Sequence, residues 1–210
     1  MATEEEIMSD FKIEWDEAAG SSDWVHKAVT DVLGGLGWSV LWRKARGTEA
    51  TPVLEAIPHG DAILAVTLNP GFSARCGYVI APVDRLAPEV ASAFAPGMGD
   101  PMDADVISDM HVHGGVTYAK AAPAEELSLL STGGVPVAVI GFDCLHAGDG
   151  SDADAARTLG LPCSRILDLE SHVGDERRKF GLSGHVWSDE EVLAECRCLA
   201  RQALAEPPRA

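Results

Sequence analysis

The chain is poor in basic residues. Its 16 lysines and arginines face 33 aspartates and glutamates, giving a formal net charge of −17 over 210 residues. Nucleic acids and anionic membrane surfaces are polyanions and repel such a chain at range, so general binding to either is not expected. Long apolar runs are also missing. The longest, residues 62–68 and 135–142, fall far short of the roughly 20 residues a membrane helix needs. The opening Met1-Ala2-Thr3-Glu4-Glu5-Glu6 is acidic where an export signal would be basic and then apolar, which points to a cytoplasmic location. The five cysteines, Cys76, Cys144, Cys163, Cys196 and Cys198, are odd in number and widely spread, so free thiols are expected rather than a disulfide framework. No nucleotide loop is present either. Gly34-Gly35-Leu36-Gly37 matches neither GxGxxG nor GxxxxGK and reads as a helix stop.

What remains is a globular composition, 46% apolar and 23% charged, long enough to bury a real core. Residues 1–22 read as an acidic arm ending in the linker-like Ala18-Ala19-Gly20-Ser21-Ser22. From Asp23, a plausible N-cap, the residues Trp24, Val25, Ala28, Val29, Val32, Leu33 and Leu36 recur at helical spacing. Residues 38–43 and 61–68 read as strands, and 75–80 as the return strand of a hairpin. A short helix is expected within 87–95 and another strand at 116–119, while 135–144 reads as a strand buried on both faces. Residues 162–180 are expected to be helical. A last helix starts at Ser188-Asp189-Glu190-Glu191, a capping-box pattern, and carries an apolar stripe of Val192, Cys196, Leu199, Ala200 and Ala203. The sum is an α+β fold, a mainly antiparallel sheet of about five strands covered by the C-terminal helix, with an N-terminal helical extension. Residues 1–50 form the arm and helix–strand extension, and residues 51–206 the core domain.

Candidate chemistry is concentrated in two stretches, Asp109-Met110-His111-Val112-His113-Gly114-Gly115 and Gly141-Phe142-Asp143-Cys144-Leu145-His146-Ala147-Gly148-Asp149. On strands, alternate side chains share a face, so His111 would align with His113 and Cys144 with His146. Two neighbouring strands would then offer three imidazoles and a thiolate to one zinc ion. Asp143 and Asp149 are candidate catalytic carboxylates, and with Asp109 they are candidates to orient an imidazole through its other nitrogen. Two other readings stay open. In one, Cys144 is a nucleophile with His113 or His146 as base, and Gly114-Gly115 supplies amides to a developing anion. In the other, the cysteine and histidines are core residues with satisfied hydrogen bonds. Cys196 and Cys198 would face different ways on a helix. Trp15, Trp24, Trp38, Trp42 and Trp187 read as core or staple residues.

The strings Cys76-Gly77-Tyr78-Val79, His113-Gly114-Gly115-Val116-Thr117-Tyr118 and Gly141 to Asp149, followed by residues 191–200, resemble a family of small bacteriophage and prophage proteins that has no established activity. The resemblance covers about residues 55–205, and His111 falls outside its strings. It implies a phage-type protein acting in a bacterial cytoplasm, of a class that often acts on host components. Three functions are carried forward. The first is an accessory protein with a His/Cys/Asp pocket that binds zinc and supports hydrolysis. The second is a non-enzymatic protein that sequesters a host protein or small molecule. The third is a phage structural or assembly component.

Overall fold

The computed structural model describes residues 22–36, 40–42, 51–69, 73–122, 135–146, 148–159 and 184–205. Helix α1 (Ser22–Gly35) precedes strands β1 (Val40–Trp42), β2 (Thr51–His59), β3 (Ala62–Leu68) and β4 (Arg75–Pro82). Two short helices, α2 (Pro88–Ala93) and α3 (Asp105–Ser108), lead to β5 (Tyr118–Ala122) and β6 (Val137–Asp143). Helices α4 (Ala153–Leu159) and α5 (Asp189–Ala203) complete the described elements.

The six strands lie in the order β1-β2-β3-β4-β6-β5. Five are antiparallel to their neighbours, and β1 adds a short parallel edge against β2. The α+β architecture with a C-terminal helix on the sheet is therefore as the sequence suggests.

Strands β3, β4 and β6 are apolar on both faces because both faces are covered. Ile63, Ala65, Cys76, Tyr78, Ile80, Val137 and Val139 pack with Val25, Ala28, Val29, Val32 and Leu33 of α1. Those α1 positions recur at the spacing that puts them on one stripe of a helix. On the opposite face, Leu64, Val66, Val79, Ile140 and Phe142 pack with Val192, Cys196, Leu199 and Ala203 of α5. Helix α5 starts where the sequence signals it. The Ser188 hydroxyl accepts from the Glu191 amide, and the Glu191 carboxylate accepts from the Ser188 amide, at 2.7 Å. Gly77 lets α5 approach β4, since a β-carbon there would overlap the Phe142 ring and the Cys196 sulfur.

Strand β2 has no counterpart in the sequence reading. It carries Pro52 and Pro58, and it turns into β3 through Gly60, whose φ of 57° is left-handed. Among the described residues β1 covers only Thr51 to Val53 of its outer side, so Pro58 lies on an open edge, where a missing N–H is tolerated. A second correction concerns residues 111–113. They form a bend and turn, with Gly114 and Gly115 at φ of 69° and 86°, and no strand. The acidic arm, residues 162–180 and the side chains of Trp15, Trp24, Trp38 and Trp42 lie outside the described residues. Among the described residues no helix is long and apolar enough to cross a membrane.

Candidate metal centre

The two chemistry-bearing stretches meet at one end of the sheet. Strand β6 ends at Asp143, and its ladder continues through the Cys144 amide to the Arg75 carbonyl at 2.8 Å. Strand β5 begins beside that end, with Tyr118 opposite Gly141, so the turn before β5 falls next to the loop after β6. His113 sits on the turn, and His146 and Asp149 on the loop.

Asp149 is the hub and is buried. Its Oδ2 accepts from the His146 backbone N–H at 2.7 Å and lies 2.8 Å from His113 Nε2. Its Oδ1 accepts from the Trp187 indole N–H at 2.9 Å. The Asp149 amide returns a bond to the His146 carbonyl at 2.9 Å, so residues 146–149 close a tight turn from both ends. Gly148 serves that turn at a φ of 104°. Trp187 arrives through a parallel bridge between Asp149 and His185, in which the Gly150 amide bonds the His185 carbonyl and the His185 amide the Gly148 carbonyl. The bridge needs Gly184, where a β-carbon would overlap the Asp149 carbonyl.

The two imidazoles stand edge to face, with centroids 5.3 Å apart, and the His113 ring also lies 4.4 Å from that of Trp187. His146 Nδ1 is 3.6 Å from Asp149 Oδ2 and 3.9 Å from Asp143 Oδ1. It is buried and, among the described residues, has no hydrogen-bond partner. One ligand atom from each of His113, His146 and Asp149 lies within 4.8 Å of the other two, so the three side chains could hold a metal ion.

The electrostatics suit a cation. Burial alone would raise the Asp149 carboxyl, but hydrogen bonds from His113, the His146 amide and Trp187 outweigh it and hold the group below the usual carboxylate range. It is therefore ionised. Cys144 behaves in the opposite way. Burial, reinforced by Cys76, Asp149 and Asp143, pushes its thiol well above the ordinary cysteine value. A neutral thiol is a poor nucleophile and a poor ligand.

Of the residues singled out from the sequence, the structure brings together His113, His146 and Asp149. Asp143 stands close by, its carboxylate accepting from the Leu145 amide at 3.1 Å. Cys144 packs in the core beneath α5 and is not part of the group. His111 is exposed and also outside it, with its backbone rather than its ring engaged. Because a turn replaces the expected strand, the strand period that would align His111 with His113 does not apply, and the third member of the cluster is Asp149. Trp187 packs against the core, as its reading from the sequence has it, and in addition donates a hydrogen bond to the hub. Glu195 and Gln202 of α5, which contact the His113 turn through its backbone, carry no local sequence signal of that role. Comparison with models of known families, with curated proteins and with solved structures finds no match for this chain.

Proposed function

We propose that His113, His146 and Asp149 bind one divalent transition-metal ion, of which zinc is the first choice, and that the site serves hydrolysis. The observation that carries this is the buried Nδ1 of His146. A buried polar atom without a partner is costly, and this one faces an ionised carboxylate oxygen at 3.6 Å. Tetrahedral zinc with bonds near 2.0–2.1 Å spaces its ligand atoms by about 3.3 Å. The 2.8 Å and 3.6 Å separations from Asp149 Oδ2 to the two imidazole nitrogens bracket that value. Trp187 holds the second carboxylate oxygen, the outer support that metal-binding carboxylates usually have. Zinc held by these three side chains would supply an activated water, with a pKa of about 7. Asp143, whose Oδ1 lies 3.9 Å from His146 Nδ1, would be the carboxylate to take a proton from such a water.

Two histidines and one carboxylate also suit iron(II), so metal analysis decides the ion. The decisive experiment is an equilibrium titration of tag-free protein with zinc, then with iron(II) under nitrogen. One ion per chain is expected, lost in His146→Ala and Asp149→Asn. Wild-type protein that takes up neither ion would refute the reading.

One observation favours a second reading, a non-enzymatic binding protein. Asp149 already accepts from three separate segments, which is what a structural latch needs. In that case Asp149→Asn lowers the melting temperature, and metal uptake is absent in wild type and variant alike. The phage-type origin and a host component as partner belong to either reading.

A further inference from the structure

We infer that helix α5 is the template that sets the His113 ligand, with Glu195 and Gln202 as positioning residues. This rests on the metal reading above. His113 sits on a turn that contains two glycines at positive φ, so the turn has little intrinsic preference for one shape. The turn carries one backbone bond of its own, from the Gly115 amide to the Val112 carbonyl at 3.0 Å, and α5 adds three more. The His113 backbone N–H donates to Glu195 Oε2 at 3.0 Å. Gln202 pairs with the backbone of His111 in both directions, its Oε1 accepting from the amide at 2.8 Å and its Nε2 donating to the carbonyl at 2.9 Å. Positions 195 and 202 are seven apart, two helical turns, so both side chains rise from one face. The Gln202 amide is itself steadied by a bond from Nε2 to the Cys198 carbonyl at 3.1 Å.

Helix α5 is anchored by its capping box and by six buried apolar residues, so the three bonds tie the turn to a firmly packed helix. They end on backbone atoms of residues 111 and 113 and engage neither imidazole. The His113 ring is then aimed at Asp149 by the chain that carries it. Ligands set in this way are pre-organised, and losing such outer contacts typically weakens metal binding ten- to a hundredfold.

The test is cobalt(II) binding, read by its visible absorption, for the full chain and four variants. Glu195→Leu and Gln202→Leu remove the bonds. Glu195→Gln keeps a carbonyl acceptor. Gln202→Glu keeps the shape and the acceptor but loses the donor. The expected result is a cobalt dissociation constant at least about tenfold higher in both leucine variants, near wild type in Glu195→Gln and intermediate in Gln202→Glu. The band shape should change in the leucine variants, which a loss of fold stability alone would not produce. If either leucine variant fails to fold, the two conservative variants decide, because only Gln202→Glu should weaken binding. Wild-type affinity and spectrum in every folded variant would overturn the inference while leaving the metal site standing. No cobalt uptake by wild-type protein would overturn both.

Discussion

Gly114 and His146 compete for one volume: a β-carbon on Gly114 would overlap the imidazole of His146 at Cε1, Nε2 and Nδ1. The absence of a side chain on the turn that carries one histidine is thus what admits the ring of the other. Gly115 has a similar φ, 86° against 69°, but nothing within 4 Å of its would-be β-carbon. The two glycines therefore separate backbone strain from crowding. Gly114→Ala and Gly115→Ala should each lose about 1–2 kcal/mol from the left-handed backbone. Only Gly114→Ala should also weaken zinc binding, by at least about tenfold, because it moves a ligand. Thermal melts and a competition titration read the two effects, and equal zinc affinity in the two variants would contradict this account of the glycine.

The assignment of the third ligand gives a second prediction. His113→Ala and His146→Ala should abolish stoichiometric metal uptake, whereas His111→Ala and Cys144→Ser should retain it. Cys144→Ser places a hydroxyl in the core, 1% exposed, and should cost stability by about 1–2 kcal/mol. Metal analysis alongside urea unfolding makes the distinction. Loss of metal in Cys144→Ser at a temperature where the variant is folded would restore the thiol as a ligand.

These contrasts mark what is legible in the sequence. Strands β3, β4 and β6 are uninterrupted apolar stretches, and α5 announces itself with a side-chain cap, so local pattern and tertiary burial agree. Strand β2 hides because Pro52, Pro58 and Glu55 break its pattern, and Pro58 is tolerated because, among the described residues, β1 pairs only with Thr51 to Val53. At the site, both motif strings stand out in the sequence, but the alternation expected of a strand fails at residues 111–113, where the chain turns into the glycine pair. The reach from Asp149 to Trp187 crosses 38 positions and depends on a backbone bridge at His185. No local pattern encodes such a pairing. The same holds for Glu195 and Gln202, which resemble any solvated residues of a helix until the turn is placed above them.

Trp187 offers a third test. Trp187→Phe keeps an aromatic ring against His113 but removes the indole N–H that bonds Asp149 Oδ1. A buried carboxylate that loses one donor should cost about 1–2 kcal/mol of stability. Zinc affinity should fall up to about tenfold as the carboxylate gains freedom to rotate. Isothermal titration beside thermal melts checks both. A variant with unchanged zinc affinity would leave Trp187 with a packing role only.

A fourth prediction concerns the clamp that holds the loop after β6 to the sheet. Arg75 reaches Asp152 through Nη1 and Asp189 through Nε, each at 2.7 Å, with its own side chain only 10% exposed. The planar guanidinium makes the two contacts from two separate nitrogens held in a fixed fork, whereas a lysine would have to reach both carboxylates from one shorter-armed nitrogen. Arg75→Met should therefore destabilise the fold at pH 7 by about 2 kcal/mol, discounted for the partial exposure of the two carboxylates, and Arg75→Lys should recover less than half of that. Burial alone would raise the Asp152 carboxyl, but the Ala155 amide and then Arg75 hold it below its ordinary value. A carboxylate depressed in the folded state stabilises the fold fully above its unfolded pKa, about 4, and loses that contribution as pH falls through the lower folded value. Wild-type protein should thus lose stability between roughly pH 5 and pH 2. Arg75→Met should lose less over the same range, since the Ala155 amide still favours the charged form but the guanidinium is gone. Urea unfolding at pH 7 and pH 3 should show the gap between wild type and Arg75→Met narrowing in acid, and a gap that holds or widens would remove the ion pairs as its cause.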